Sequence, residues 1–101
     1  MSERGDNGTW KIGQAAKLLD LKTYVLRFWE SEFPQLEPLR TSSGQRLYTR
    51  EHIDLLQRIK RLLYDEGLTI EGARRRIEEE GQDRLREDIV RELNEIKRLL
   101  E

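Results

Sequence analysis

Between Lys22 and Tyr48 the chain carries side chains suited to holding phosphate groups and reading the edges of bases. Lys22, Thr23, Tyr24 and Arg27 lie close together, and Arg40, Arg46 and Tyr48 follow after a break. Arginine offers a planar fork of donors that fits phosphate oxygens or a guanine edge, lysine offers a mobile charge, and threonine and tyrosine offer hydroxyls. From Lys11 to Arg50 seven cations are set against four anions. The whole 101-residue chain has a formal charge of −1, yet affinity for a polyanion follows local cation placement rather than the total. Other chemistries are poorly supplied. There is no cysteine and a single histidine, His52, so disulfides, thiolate redox chemistry and histidine-based metal clusters are excluded. His52, near the start of a helix, reads as a surface residue. With no Gly-rich phosphate loop, and with carboxylates such as Glu78 and Glu79 on a polar helix face, neither an enzyme nor a cofactor is expected.

The elements that must position these side chains are legible from periodicity and punctuation. Residues 1–9 are polar and Gly-rich and read as a flexible leader. Trp10-Lys11-Ile12 is a short extended lead-in, with Trp10 expected in the core. Ile12, Ala15, Ala16 and Leu19 recur at helical spacing. Asp20-Leu21-Lys22 then turns, and Thr23 opens a second helix through Glu32 in which Val25 and Leu26 belong to the core. Pro34 and Pro38 prevent its continuation. Arg40 to Tyr48, with a Ser-Ser-Gly turn in the middle, reads as a β-hairpin in which Gly44 takes positive φ. Thr49 caps a long helix to about Glu66 that carries the stripe Ile53, Leu56, Ile59, Leu62 and Leu63, and Gly67 stops it. Thr69 caps a short helix over Ile70 to Glu80, with Gly81 as its stop. Arg74, Arg75 and Arg76 read as a solvated face of that helix, balanced by Glu78 to Glu80.

A separate last helix is expected over residues 82–101. Leu85, Ile89, Leu93, Ile96 and Leu100 step by four, four, three and four, a narrow seam close to that of a coiled coil. Pairs such as Arg84 with Asp88 and Glu87 with Arg91 support it. A seam of this kind, flanked by mixed charges, points to pairing with a second copy of the chain. The fold class expected is therefore mainly α, a winged helix-turn-helix with a small β-hairpin wing and a C-terminal coiled-coil helix. No run approaches the ~18 apolar residues of a membrane span, and Met1 to Gly8 has no apolar signal core. A soluble, cytoplasmic protein without a membrane partner is expected.

These residues resemble the MerR family of transcriptional regulators. The match runs through Ile12-Gly13, Ala15-Ala16, Leu26-Arg27-Phe28-Trp29-Glu30, Arg40-Thr41, Gly44, Arg46-Leu47-Tyr48 and Gly67-Leu68-Thr69-Ile70-Glu71, over roughly residues 10–80. The resemblance implies a winged DNA-binding domain over 10–80 followed by a dimerisation helix over 82–101. It also implies distortion of promoter DNA, contact with RNA polymerase, and no separate sensor domain, because the chain ends with the pairing helix. Two positions depart from the family's usual pair of tyrosines. Phe28 lacks a hydroxyl, while Trp29 retains one donor that can reach a phosphate. The Ser31 to Leu39 segment is slightly longer than the family's usual loop, which shifts the expected seat of the wing.

The expected interface with double-stranded DNA thus comprises Lys22, Thr23, Tyr24, Arg27, Trp29, Arg40, Arg46 and Tyr48. The N-terminal end of the second helix meets base edges, and the two arginines around the hairpin turn meet phosphates. Tyr24 stays open between a base contact and packing beneath a loop. At the level of function two alternatives stay open: an excisionase-like architectural accessory that bends DNA, and a protein-interaction adaptor, which the near-neutral charge favours.

Overall fold

The packing of Trp10, Tyr48 and the stripe of the third helix around the first two helices defines the architecture. The computed structural model describes residues 8–100; most of the expected leader, residues 1–7, and Glu101 lie outside the described residues. In chain order the elements are β1 (Trp10–Lys11), α1 (Ile12–Leu19), α2 (Thr23–Glu32), a 3₁₀ turn (Pro34–Leu36), β2 (Leu39–Arg40), β3 (Arg46–Tyr48), α3 (Arg50–Lys60), a π-helical turn (Arg61–Asp65) and α4 (Ile70–Leu100). This is a winged helix-turn-helix, mainly helical, with the wing expected from the sequence.

Each boundary has a local cause. Helix α1 ends at Asp20, whose φ of 56° places it in the left-handed region that aspartate tolerates better than most residues. The Leu21 N–H then closes on the Ala16 carbonyl at 2.9 Å. The Leu19 carbonyl left at this helix end accepts the Lys60 ammonium at 2.7 Å, a cation where the helix dipole favours one. Thr49 caps α3 as expected, its Oγ1 accepting from the His52 N–H at 3.3 Å. His52 completes the cap by accepting the Thr49 N–H on Nδ1 at 3.0 Å, so it is a half-buried capping residue and not a plain surface one. The helix expected to reach Glu66 widens into the π turn over its last residues. There the Glu66 N–H reaches the Arg61 carbonyl at 3.0 Å, and Gly67 follows at φ 69° as the expected stop.

The lead-in is more than extended. Strand β1 pairs antiparallel with β3, Trp10 opposite Tyr48, and β3 pairs with β2, Arg40 opposite Arg46. The order β1-β3-β2 makes a three-stranded sheet that seats both aromatic rings in the core with Leu26, Phe33, Leu36, Ile53, Leu56, Ile59 and Leu62.

Gly81 does not stop a helix. Helix α4 runs unbroken from Ile70 to Leu100, which corrects the expected break between two helices. A mid-helix glycine weakens a helix by roughly 1 kcal/mol relative to alanine, too little to end one flanked on both sides by helix-forming Glu, Arg and Leu. The N-terminal part of α4 is tied to the core by Ala73 and Ile77 and by Arg58, whose Nε donates to Glu80 at 3.2 Å and whose Nη2 donates to the other carboxylate oxygen. The Arg58 guanidinium holds the Glu80 carboxyl below its ordinary range. Within the cation run, Arg75 pairs with Glu71 at 2.8 Å and Arg76 with Glu66 at 3.7 Å, partners other than the acidic triplet expected. Beyond Glu80 every described residue of α4 is exposed. Among the described residues no helix is long and apolar enough to cross a membrane.

Candidate nucleic-acid interface

Helix α2 divides cleanly into two faces. Leu26 and Trp29 point inward, continued by Phe33, while Tyr24, Arg27, Phe28 and Ser31 share the opposite face and are exposed. At 100° per residue these four fall within one stripe of the helix. Tyr24 is 69% exposed and Phe28 50%. Tyr24 therefore does not pack beneath a loop. Lys22, exposed, is the extended residue before the helix, and Thr23, half-buried, is its first helical residue. Among the described residues no hydrogen bond or ion pair engages the Arg27 guanidinium.

Two expected interface residues lie elsewhere. Trp29 is only 2% exposed and meets the Tyr64 ring edge-on with centroids 6.2 Å apart. It is a core residue, three positions along the helix from buried Leu26, and is not presented to a phosphate. Tyr48 is fully buried, because the alternation of β3 turns it inward opposite Trp10. Its hydroxyl donates to Glu30. Burial first, then the hydrogen bond to Glu30 and the negative charge of that carboxylate, push the Tyr48 phenol well above its ordinary pKa.

Glu30 is the residue that sequence reasoning missed. Its carboxylate, 11% exposed, accepts Arg46 Nε at 2.8 Å, accepts the Tyr48 hydroxyl, and lies 3.9 Å from Arg40 Nη2. Arg40 and Arg46 are directly opposed across the hairpin, where like charges repel, and Glu30 neutralises the pair. The same carboxylate fastens the wing to the flank of α2 next to Arg27. In the sequence it is one of four anions within the cation-rich stretch and the last residue of the Leu26 to Glu30 motif, and neither feature names its partners. The wing turn is organised locally: Gly44 at φ 86°, Thr41 Oγ1 accepting the Gln45 N–H at 3.0 Å and within 2.9 Å of Ser43 Oγ, and Arg40 Nη1 donating to the Gly44 carbonyl at 3.1 Å. Arg40 stays 49% exposed, whereas Arg46 is largely covered. The structure thus brings together Lys22, Tyr24, Arg27 and Arg40 as exposed groups on α2 and the adjoining wing. Partly exposed Arg46 and buried Tyr48 are both bonded to Glu30.

The five residues of the expected dimerisation seam, Leu85, Ile89, Leu93, Ile96 and Leu100, are all exposed on α4, as are Val90 and Leu99.

Comparison with known proteins agrees with this geometry. The family model described as "MerR HTH family regulatory protein" matches residues 10–80. The chain is similar to the HTH-type transcriptional repressor CarH of Myxococcus xanthus, 38% identical over 73 residues, 72% of this chain and 23% of that protein. It is also similar to the HTH-type transcriptional regulator MlrA of Escherichia coli (strain K12), 32% identical over 74 residues, 73% of this chain and 30% of that protein. The chain therefore spans between about a quarter and a third of the length of these curated relatives. Among solved structures, a MerR-family transcriptional regulator from Bacillus cereus superposes with a TM-score of 0.62 at 25% identity, over 91% of this chain and 75% of that one. HiNmlR, described as a MerR family regulator lacking the sensor domain and bound to promoter DNA, shares the fold with a TM-score of 0.62 at 24% identity, over 91% of this chain and 78% of that one.

Proposed function

The chain belongs to the MerR helix-turn-helix family of regulatory proteins, and from that premise we propose that it binds double-stranded DNA as a homodimer and regulates transcription by distorting the promoter it occupies. The observation that carries this reading is the exposed face of α2, where Tyr24 and Arg27 stand beside a wing that presents Arg40. A helix of this size fits the major groove, its N-terminal residues against base edges, while the neighbouring hairpin follows the phosphates. In this reading Lys22, Tyr24 and Arg27 contact the groove, Arg40 contacts the backbone, and Thr23 lies at the entry of the helix. Arg46 and Tyr48 hold the wing in place through Glu30.

The exposed seam on α4 supports pairing with a second copy, since a stripe of leucine and isoleucine with nothing over it loses apolar burial. Two copies would set two α2 helices on half-sites of a pseudo-palindromic site. Distortion of the intervening DNA costs energy that depends on its sequence and is the means by which RNA polymerase would be admitted or excluded. That the relatives it resembles are a transcriptional repressor and a transcriptional regulator supports the regulatory reading.

The test is fluorescence anisotropy with duplexes recovered from a random pool, titrated against salt. Salt-sensitive binding is expected, and Arg40→Ala should weaken it about equally for all sequences while lowering the salt slope by roughly one. Failure to bind any duplex at moderate salt would overturn the proposal. Footprints restricted to recombination sites, without any change in transcript level, would favour the architectural reading instead.

A further inference from the structure

Phe28 is not needed by the core and cannot contact phosphate, yet it stands at the middle of the exposed face of α2. The core side of the helix is complete with Leu26 and Trp29, continued by Phe33. Phe28 is half exposed and lies one turn beyond Tyr24, so the two rings make an aromatic stripe along the outer face of the helix. Neither ring pairs with another aromatic among the described residues. The next residue on the stripe, Ser31, donates its hydroxyl proton to the Phe28 carbonyl at 2.6 Å. Cations border this apolar strip: Lys22 before the helix, Arg27 beside Phe28, and Arg40 on the adjoining wing. That border selects a polyanion rather than an apolar protein surface or a neutral groove as the occupant.

A phenyl ring has neither donor nor acceptor, so it cannot read the polar pattern of a base pair. The major groove offers one strongly apolar feature, the C5 methyl of thymine. We infer that Phe28, with Tyr24 one turn away, packs on a thymine methyl and thereby makes the protein select thymine at one position of each half-site. The inference rests on the duplex-binding reading above and goes beyond it by assigning a specificity-determining residue and the base it reads. Arg27, between the two rings in sequence, would anchor the register in which the methyl meets the ring.

Replacing thymine by deoxyuridine removes the methyl and leaves every hydrogen-bonding group in place. The full chain is first used to recover binding duplexes from a random pool. The tightest of them is then remade with deoxyuridine at each thymine in turn. At one position per half-site the affinity should fall about fourfold, the equivalent of one buried methyl-sized group. Phe28→Ala should bind the thymine and deoxyuridine duplexes alike at that position, and Phe28→Leu, which keeps apolar bulk, should retain most of the difference. Deoxyuridine tolerated without loss at every position would overturn the inference, as would a methyl effect that survives Phe28→Ala. Recovery of no duplex at all would overturn the duplex-binding reading along with it, whereas binding without a methyl effect overturns this inference alone.

Discussion

Glu30 sits between two arginines that would otherwise repel each other across the hairpin, and it does so within reach of a buried phenol. At this scale the sign of an effect is the informative quantity. Removing an anion from a DNA-facing region ordinarily strengthens binding. If Glu30 positions the wing, Glu30→Ala should instead weaken duplex binding and lower stability by about 2 kcal/mol, the scale of lost charge-assisted hydrogen bonds. Denaturant melts and anisotropy on the same samples check both, and tighter binding by the variant would mean that Glu30 restrains the arginines and does not aim them. Tyr48 adds a dependence on pH. Its folded pKa lies above the unfolded value near 10, so its contribution is complete below pH 10 and drains away as the pH rises beyond it, at about 1.4 kcal/mol per unit. Between pH 7 and 11 the wild type should therefore lose more stability in urea than Tyr48→Phe does, since every other group is common to both. Equal losses would show that the phenol ionises as readily in the folded chain as in the unfolded one.

Among the elements, α4 departs most from its reading in the sequence. A glycine after a run of glutamates looks like a stop, and 31 residues of unbroken helix pass through it. A Cβ built on Gly81 meets nothing within 4 Å, and its φ is not positive. Gly81→Ala should then stabilise the protein by roughly 0.5–1 kcal/mol, because the only change is the backbone entropy lost on folding. Chemical denaturation followed at 222 nm reads this directly, and a destabilised variant would indicate that the helix bends there in use. Helix α2 shows the opposite situation. Its ends were legible because Pro34 forbids continuation, but its division into faces required knowing that Leu26, Trp29 and Phe33 fall on one side. The spacing of three and then four residues from Leu26 carries that signal, but the indole N–H of tryptophan makes its ring compatible with either face.

For the molecule as a whole, the principal extents of 53 × 34 × 26 Å reflect a rounded core with α4 as a rod. Everything that holds the core lies between Trp10 and Ile77, bridged to the rod by Arg58 and Glu80. The apolar groups of the rod's outer half, Leu85, Ile89, Leu93, Ile96 and Leu100 among them, are exposed between charged residues. If they form a seam between two copies, Leu93→Asp buries a charge without a partner, at a cost of several kcal/mol. Sedimentation velocity should then show the wild type as a dimer and the variant as a monomer with unchanged helix content. A variant that still sediments as a dimer would place the interface elsewhere.

What the sequence determined by itself was the succession of elements and most of their ends. Prolines, the Thr49 and Thr69 caps, and glycines at positive φ act on a few neighbouring backbone groups, so their effect can be read along the chain. What only the tertiary structure decided was which aromatic rings face inward and which outward, and which charges meet. Trp29 and Tyr48 are buried while Tyr24 and Phe28 are exposed, and Glu30 finds partners 16 and 18 residues away. The physical reason is that an amphipathic ring or a charged side chain satisfies its local geometry equally well on either face of an element. Its orientation is settled by strand pairing and core packing between segments that are distant in the chain.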